Sequence, residues 1–185
     1  MTSLSGVPGL VEERTGHGEM TVVVERERLL EAAYWLRDEA GFNFLSDIAA
    51  ADYLGWSDPR VAGYWGDSRG RDINNPGSWG LQSQPEPKQR RFSVSYHVLR
   101  LESGAAEAPR LRLQVWCEDG EALPSLVPVW PTADWHEREA WDMIGIPFEG
   151  HPNLARLLME DDWEGHPLRK DYPLGGEPVR FSGEE

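Results

Sequence analysis

Thr21, Val22, Val23 and Val24 form a short β-branched run, the pattern of a buried strand. The period then changes. Leu29, Leu30, Ala33, Leu36 and Ala40 recur at helical spacing until Gly41 closes the run. From Phe42 to Leu54 the chain is apolar apart from Asp47 and Asp52, which predicts a second strand with a polar turn. Phe92, Val94, Tyr96 and Val98 alternate with polar neighbours, and Leu111, Leu113, Val115 and Cys117 do the same. The Gly104–Pro109 link reads as a loop, so these two runs predict an antiparallel pair. Residues 123–131 carry three prolines and lead into a second helix. Asp134 is placed to cap it with Glu137 as the reciprocal carboxylate, and Gly145 to end it left-handed. Ala133, Ala140, Trp141 and Ile144 make one apolar stripe on that helix.

This pattern predicts the α+β class: a small antiparallel or mixed sheet packed with helices, followed by an extended Pro-rich C-terminal arm. Residues 1–19, with four glycines and little that is apolar, read as a flexible N-terminal arm; residues 20–145 form the α+β domain. Residues 146–185 read as an extended partner-binding segment. Leu154, Leu157 and Leu158 support one short helix there, and Pro167, Pro173 and Pro178 forbid a continuous one. Within the domain, residues 55–91 interrupt every period. Six glycines, four prolines and Trp56, Trp65 and Trp79 leave two readings, a disordered segment or an insertion that lies over a neighbouring subunit; the tryptophans favour the second, since disordered segments are usually poor in aromatics.

The chain has 185 residues, enough for one domain with a sizeable core. Its net charge of −14 argues against binding phosphate backbones or anionic lipid unaided. Cys117 is the single cysteine, so neither an internal disulfide nor a cysteine-held iron–sulfur cluster can be built from this chain alone. Its place on an apolar face predicts burial. No apolar run approaches the roughly 20 residues of a membrane helix, which predicts a cytoplasmic chain attached to membranes only through partners.

The candidate chemistry lies in the last third. Glu137, Glu139, Asp142, His136, His151, His166, Asp161 and Asp162 could in principle supply acid–base pairs or metal ligands. Their spacing fits no compact ligand motif, and each Gly-His-Pro reads equally as a turn whose imidazole hydrogen-bonds a backbone carbonyl. Arg138 falls four residues from both Asp134 and Asp142, which predicts one guanidinium between two carboxylates.

The stretch Glu137-Arg138-Glu139, Asp142-Met143-Ile144-Gly145-Ile146, Phe148, Gly150-His151-Pro152, then Gly165-His166-Pro167-Leu168-Arg169-Lys170-Asp171-Tyr172-Pro173-Leu174, resembles the C subunit of the proton-translocating NADH:quinone oxidoreductase, respiratory complex I. Residues 41–48 and Asp52-Tyr53-Leu54 are similar to the N-terminal part of that family, and the likeness covers about residues 20–54 and 91–175. One departure is Ala155, where the family usually has a basic residue; only Arg156 remains beside it.

The resemblance implies a cofactor-free scaffold in the peripheral arm, at the cytoplasmic face of the cell membrane. Its implied partner is the quinone-site D subunit, with FMN, Fe-S clusters and quinone held by other subunits. On that reading Glu137, Arg138, Glu139, Trp141, Asp142, Gly145, His151, Arg156, Trp163, His166, Arg169, Lys170, Asp171 and Tyr172 form the partner interface, with no catalytic, cofactor or metal residue in this chain. The alternatives are the equivalent subunit of a related membrane-bound hydrogenase or other quinone-linked dehydrogenase, or an independent acid–base hydrolase.

Overall fold

The computed structural model describes residues 4–16, 18–55, 88, 90–102 and 108–173. The expectation for the 55–91 insertion falls almost wholly outside them, as does the stretch after Pro173. Seven strands and two α-helices are described: β1 (Leu10–Gly16), β2 (Glu19–Val24), α1 (Leu29–Asp38), β3 (Phe44–Asp52), β4 (Phe92–Leu99), β5 (Arg110–Cys117), β6 (Leu123–Pro124), α2 (Ala133–Ile144) and β7 (Phe148–Glu149). This is the expected α+β class.

The main sheet runs β1-β2-β5-β4-β3, with β2 and β5 parallel and every other pair antiparallel. Register follows the alternation read from the sequence. Phe92, Val94, Tyr96 and Val98 lie opposite Cys117, Val115, Leu113 and Leu111, and Val22 and Val24 continue those rows from β2. A one-residue slip would turn all of these side chains to the other face, so burial pins the pairing. Leu29, Ala32, Ala33 and Leu36 of α1, together with Ala133, Ala140 and Ile144 of α2, close the same core. Gly41 (φ 78°) ends the α1 region, and the Phe42 N–H returns to the Leu36 carbonyl. Cys117 is buried, and burial pushes its thiol up to about 12.

Three local expectations are corrected. Leu10–Gly16 is strand β1 rather than loose arm, and Leu4 and Val7 join the core. With both faces of β1 exposed, its sequence carries no alternation to read. Phe44–Asp52 is one strand with an irregularity between Leu45 and Asp47, in place of a polar turn. No helix forms at 154–158, because the amides of Leu157 and Leu158, with that of Met159, donate to a side-chain carboxylate instead of to carbonyls four residues back.

Candidate functional site

Helix α2 carries two buried carboxylates in opposite environments. Asp142 accepts the backbone N–H groups of Leu157 (2.9 Å), Leu158 (2.8 Å) and Met159 (3.0 Å), and Arg156 Nη1 at 2.7 Å. Burial raises its pKa, but the backbone donors and the guanidinium outweigh burial and bring it down to about 2. Glu137 sits among apolar neighbours and takes only the Ser125 hydroxyl (2.7 Å) and the Leu126 N–H (2.6 Å). Burial dominates there, and its pKa is pushed up to about 7. The capping box is not formed. Thr132 holds the N-cap position and donates its hydroxyl to the Leu45 carbonyl, while Glu137 fastens α2 to the loop after β6.

The guanidinium between two acids is also corrected. Arg138 donates to the carbonyls of Ala155 (3.0 Å) and Arg156 (3.2 Å) and lies over the Trp135 ring. Arg156 is the residue that pairs with Asp142. It also donates to the carbonyls of Trp163 (2.7 Å) and Gly165 (3.2 Å) and covers Trp141. A planar fork with five donors suits this divided task. Sequence spacing could not find the pair, since Asp142 sits on helix α2 and Arg156 in irregular chain beyond it.

Each Gly-His-Pro turn docks an imidazole on α2, as one reading of the turns expected. His151 accepts the Asn153 N–H on Nδ1 (3.0 Å), so its proton is on Nε2, 3.1 Å from the Asp134 carbonyl. His166 Nδ1 donates to the Asp142 carbonyl at 2.9 Å. The two histidines thus hold opposite ends of one helix. Gly145 caps α2 at φ 83° directly beneath the His166 ring; a Cβ there would lie 2.6 Å from its Nε2. Leu168 N–H adds a bond to the Met143 carbonyl (2.9 Å).

Past Leu168 the segment reaches the far end of the sheet. Asp52, its side chain fully buried, takes two donors from Arg91 (3.1 and 2.8 Å) and the N–H groups of Leu54 and Lys170 (both 2.9 Å). Arg91 also pairs with Asp171 at 2.8 Å, and Arg169 pairs with Asp171 and Asp119. Both guanidiniums lie over the Phe92 ring. Asp52 and Arg91 were absent from the candidates. An acid after the apolar run 48–51 and an arginine just before the next strand were the available signal.

A family profile described as "Respiratory-chain NADH dehydrogenase, 30 Kd subunit" matches residues 22–178. The chain belongs to this family. A relative from Citrifermentans bemidjiense, named as the C subunit of NADH-quinone oxidoreductase, is 40% identical over 86% of this chain and 77% of its own length. One of the same name from Nocardioides sp. is 39% identical over 90% of this chain, which spans 54% of that longer relative. Among solved structures, a trypsin-resistant fragment of Nqo5 matches with a TM-score of 0.54 at 30% identity, over 76% of this chain and 86% of that one. A chain of an archaeal membrane-bound sulfane sulfur reductase shares the fold, with a TM-score of 0.62 at 18% identity over 92% of this chain and 81% of that one.

For this member of the 30-kDa subunit family, most of the charged motif is engaged internally. Glu137, Arg138, Asp142, Arg156, Arg169 and Asp171 all have partners within the chain. Trp141, Trp163 and Tyr172 are half-buried. What faces outward is different: Trp135 (63% exposed), Leu158 (63%) and Leu168 (58%), with Glu139 and Lys170, whose side chains make no ion pair among the described residues. Exposed apolar residues of this size, close to solvent-facing charges, have the composition of a contact surface. Of these five, Glu139 and Lys170 belong to the interface that the resemblance implies.

Proposed function

We propose that this chain is the cofactor-free, peripheral-arm C subunit of a proton-translocating NADH:quinone oxidoreductase. It buttresses the quinone-site D subunit while electrons pass from NADH through FMN and Fe-S clusters, held elsewhere, to quinone. The observation that carries the reading is the C-terminal segment bound on α2. Asp142, Arg156, His151 and His166 give an irregular stretch one fixed course and leave Trp135, Glu139, Leu158, Leu168 and Lys170 outside. A contact ordered before docking loses less entropy on binding, and electron transfer depends on held distances. No described helix is long and apolar enough to cross a membrane, which fits attachment at the cytoplasmic face through other subunits.

Glu137 and Asp142, two of the carboxylates an acid–base hydrolase could draw on, present no surface to solvent. The fold shared with a sulfane sulfur reductase chain keeps one second reading, the equivalent subunit of a related respiratory complex with another electron donor. Affinity purification of the tagged chain from detergent-solubilised membranes tests both. Co-elution with FMN-containing and quinone-site subunits, and loss of NADH:quinone reductase activity on deletion of the chain, are expected. Elution of the chain alone refutes the proposal, and co-elution with a complex inactive toward NADH selects the second reading.

A further inference from the structure

The two edges of the main sheet are finished differently. β1 carries Glu12, Glu13 and Arg14, charges of the kind that stop an edge from pairing with another chain. β3 carries Ile48, Ala49, Ala50 and Ala51 in succession, four residues without charge or proline between Asp47 and Asp52. Among the described residues β3 has a single strand neighbour, β4. Alanine is a poor strand former, and three in a row do little for the sheet itself. They keep the edge low, so that another backbone can approach.

A groove of about 230 Å³ lies along this edge. Asp47, Ile48, Ala49 and Ala50 all line it. Consecutive strand residues point to opposite faces, so four in one groove place it against the strand's outer rim, which has no strand partner among the described residues and whose Leu45 carbonyl takes the Thr132 hydroxyl. The opposite wall is Ala140, Met143, Ile144 and the exposed Leu168, with Glu139 beside them. Asp47 and Glu139 thus put two solvent-facing carboxylates on an apolar trough. Around Asp47 stand His97 across the strand pair, His136 Nδ1 at 3.5 Å and, lining a second hollow with it, Glu19, Arg110 and Arg112; Glu139 has no ion pair among the described residues.

We propose that this groove receives an extended segment of a neighbouring subunit, which adds a strand to β3. An aliphatic side chain of that segment lies between α2 and β3, and a Lys or Arg sits beside Asp47 and Glu139. The inference rests on the reading of the chain as a subunit of a larger complex. Strand addition draws affinity from backbone hydrogen bonds and selectivity from pockets along the strand. A second copy of this chain is the poorer occupant, because pairing β3 with itself would bring Asp47 and Glu139 of two chains of net charge −14 together.

Hydrogen exchange of the peptide spanning residues 46–52, in the purified complex and in the isolated chain, reads the edge directly. At least ten-fold slower exchange in the complex is expected. Ala49→Lys and Glu139→Lys, at exposed positions, are expected to lower co-purification with the complex several-fold while leaving the thermal midpoint of the isolated chain unchanged. Equal exchange in an intact complex, or normal assembly of both variants, overturns the groove and leaves the assignment of the subunit standing. Protection found only in a homodimer replaces the partner segment with a second copy and also overturns the proposal. Failure of the wild-type chain to co-purify with any complex removes the functional reading on which it rests.

Discussion

Replacing Asp142 with Asn tests whether one buried carboxylate organises the C-terminal segment. The side chain is fully buried, and its oxygens face four donors. Asn keeps the volume but turns an amide NH₂ toward groups that are themselves donors. Arg156 loses its counter-ion while it stays mostly buried. Removing one partner of a buried pair costs about 3–5 kcal/mol. The pKa gives a second figure: a drop from the ordinary 3.8 to about 2 corresponds to about 2–3 kcal/mol at roughly 1.4 kcal/mol per unit. Both place the loss near 3 kcal/mol, which is about a hundred-fold in an opening equilibrium. The folded-state pKa is depressed, so this stability is present above the unfolded pKa near 4. It disappears as pH falls through 2. Amide exchange of residues 156–159, His166 and Leu168 should therefore accelerate about a hundred-fold in Asp142→Asn at neutral pH, with the β4 and β5 amides unchanged. In the wild-type chain the same amides should open between pH 4 and 2. Exchange in the variant within two-fold of wild type would show that the segment is held by something other than this carboxylate.

Glu137 should give a pH limb of the opposite sign. Its pKa is raised from 4.5 to about 7, so the protonated form favours the fold, and stability falls as pH rises through that window, by an order of 3 kcal/mol. Urea unfolding from pH 4.5 to 8 should show the decline in wild type and a flatter profile in Glu137→Gln. Gly145→Ala should lower stability by more than about 2 kcal/mol, combining a left-handed alanine with overlap on the His166 ring. Adding His166→Ala should recover only the overlap, leaving about 1 kcal/mol of backbone cost in a double-mutant cycle. Arg91→Met should leave the buried Asp52 without its counter-ion, at a cost of about 3–5 kcal/mol; the Lys170 amide should then exchange faster, as mass spectrometry of that peptide would report.

Periodicity carried the sheet. The rows Phe92–Cys117, Val94–Val115, Tyr96–Leu113 and Val98–Leu111 lie opposite each other as their alternation predicts, because only one register buries all eight. Local signals also identified α1, the left-handed Gly145 and the docking of each Gly-His-Pro imidazole on a carbonyl. Strand β1 was illegible, since a two-sided exposed edge has no hydrophobic period, and it exists because β2 offers it a backbone to pair with.

Charge pairing was the part that sequence spacing misread. Helical arithmetic put Arg138 with Asp134 and Asp142, yet Asp142 takes Arg156 and three distant amides, while Arg138 takes two carbonyls. Asp52 and Arg91, separated by the whole insertion, meet Lys170 and Asp171 at one end of the sheet. An amphipathic period records only which side of an element is buried, and that is a property of neighbouring residues. Which donor reaches a buried carboxylate depends on where the folded backbone brings segments together. The family, the β4–β5 register and most of the core were therefore written in the chain, whereas the division of the motif into internally bonded and outward-facing residues was decided by the tertiary structure alone.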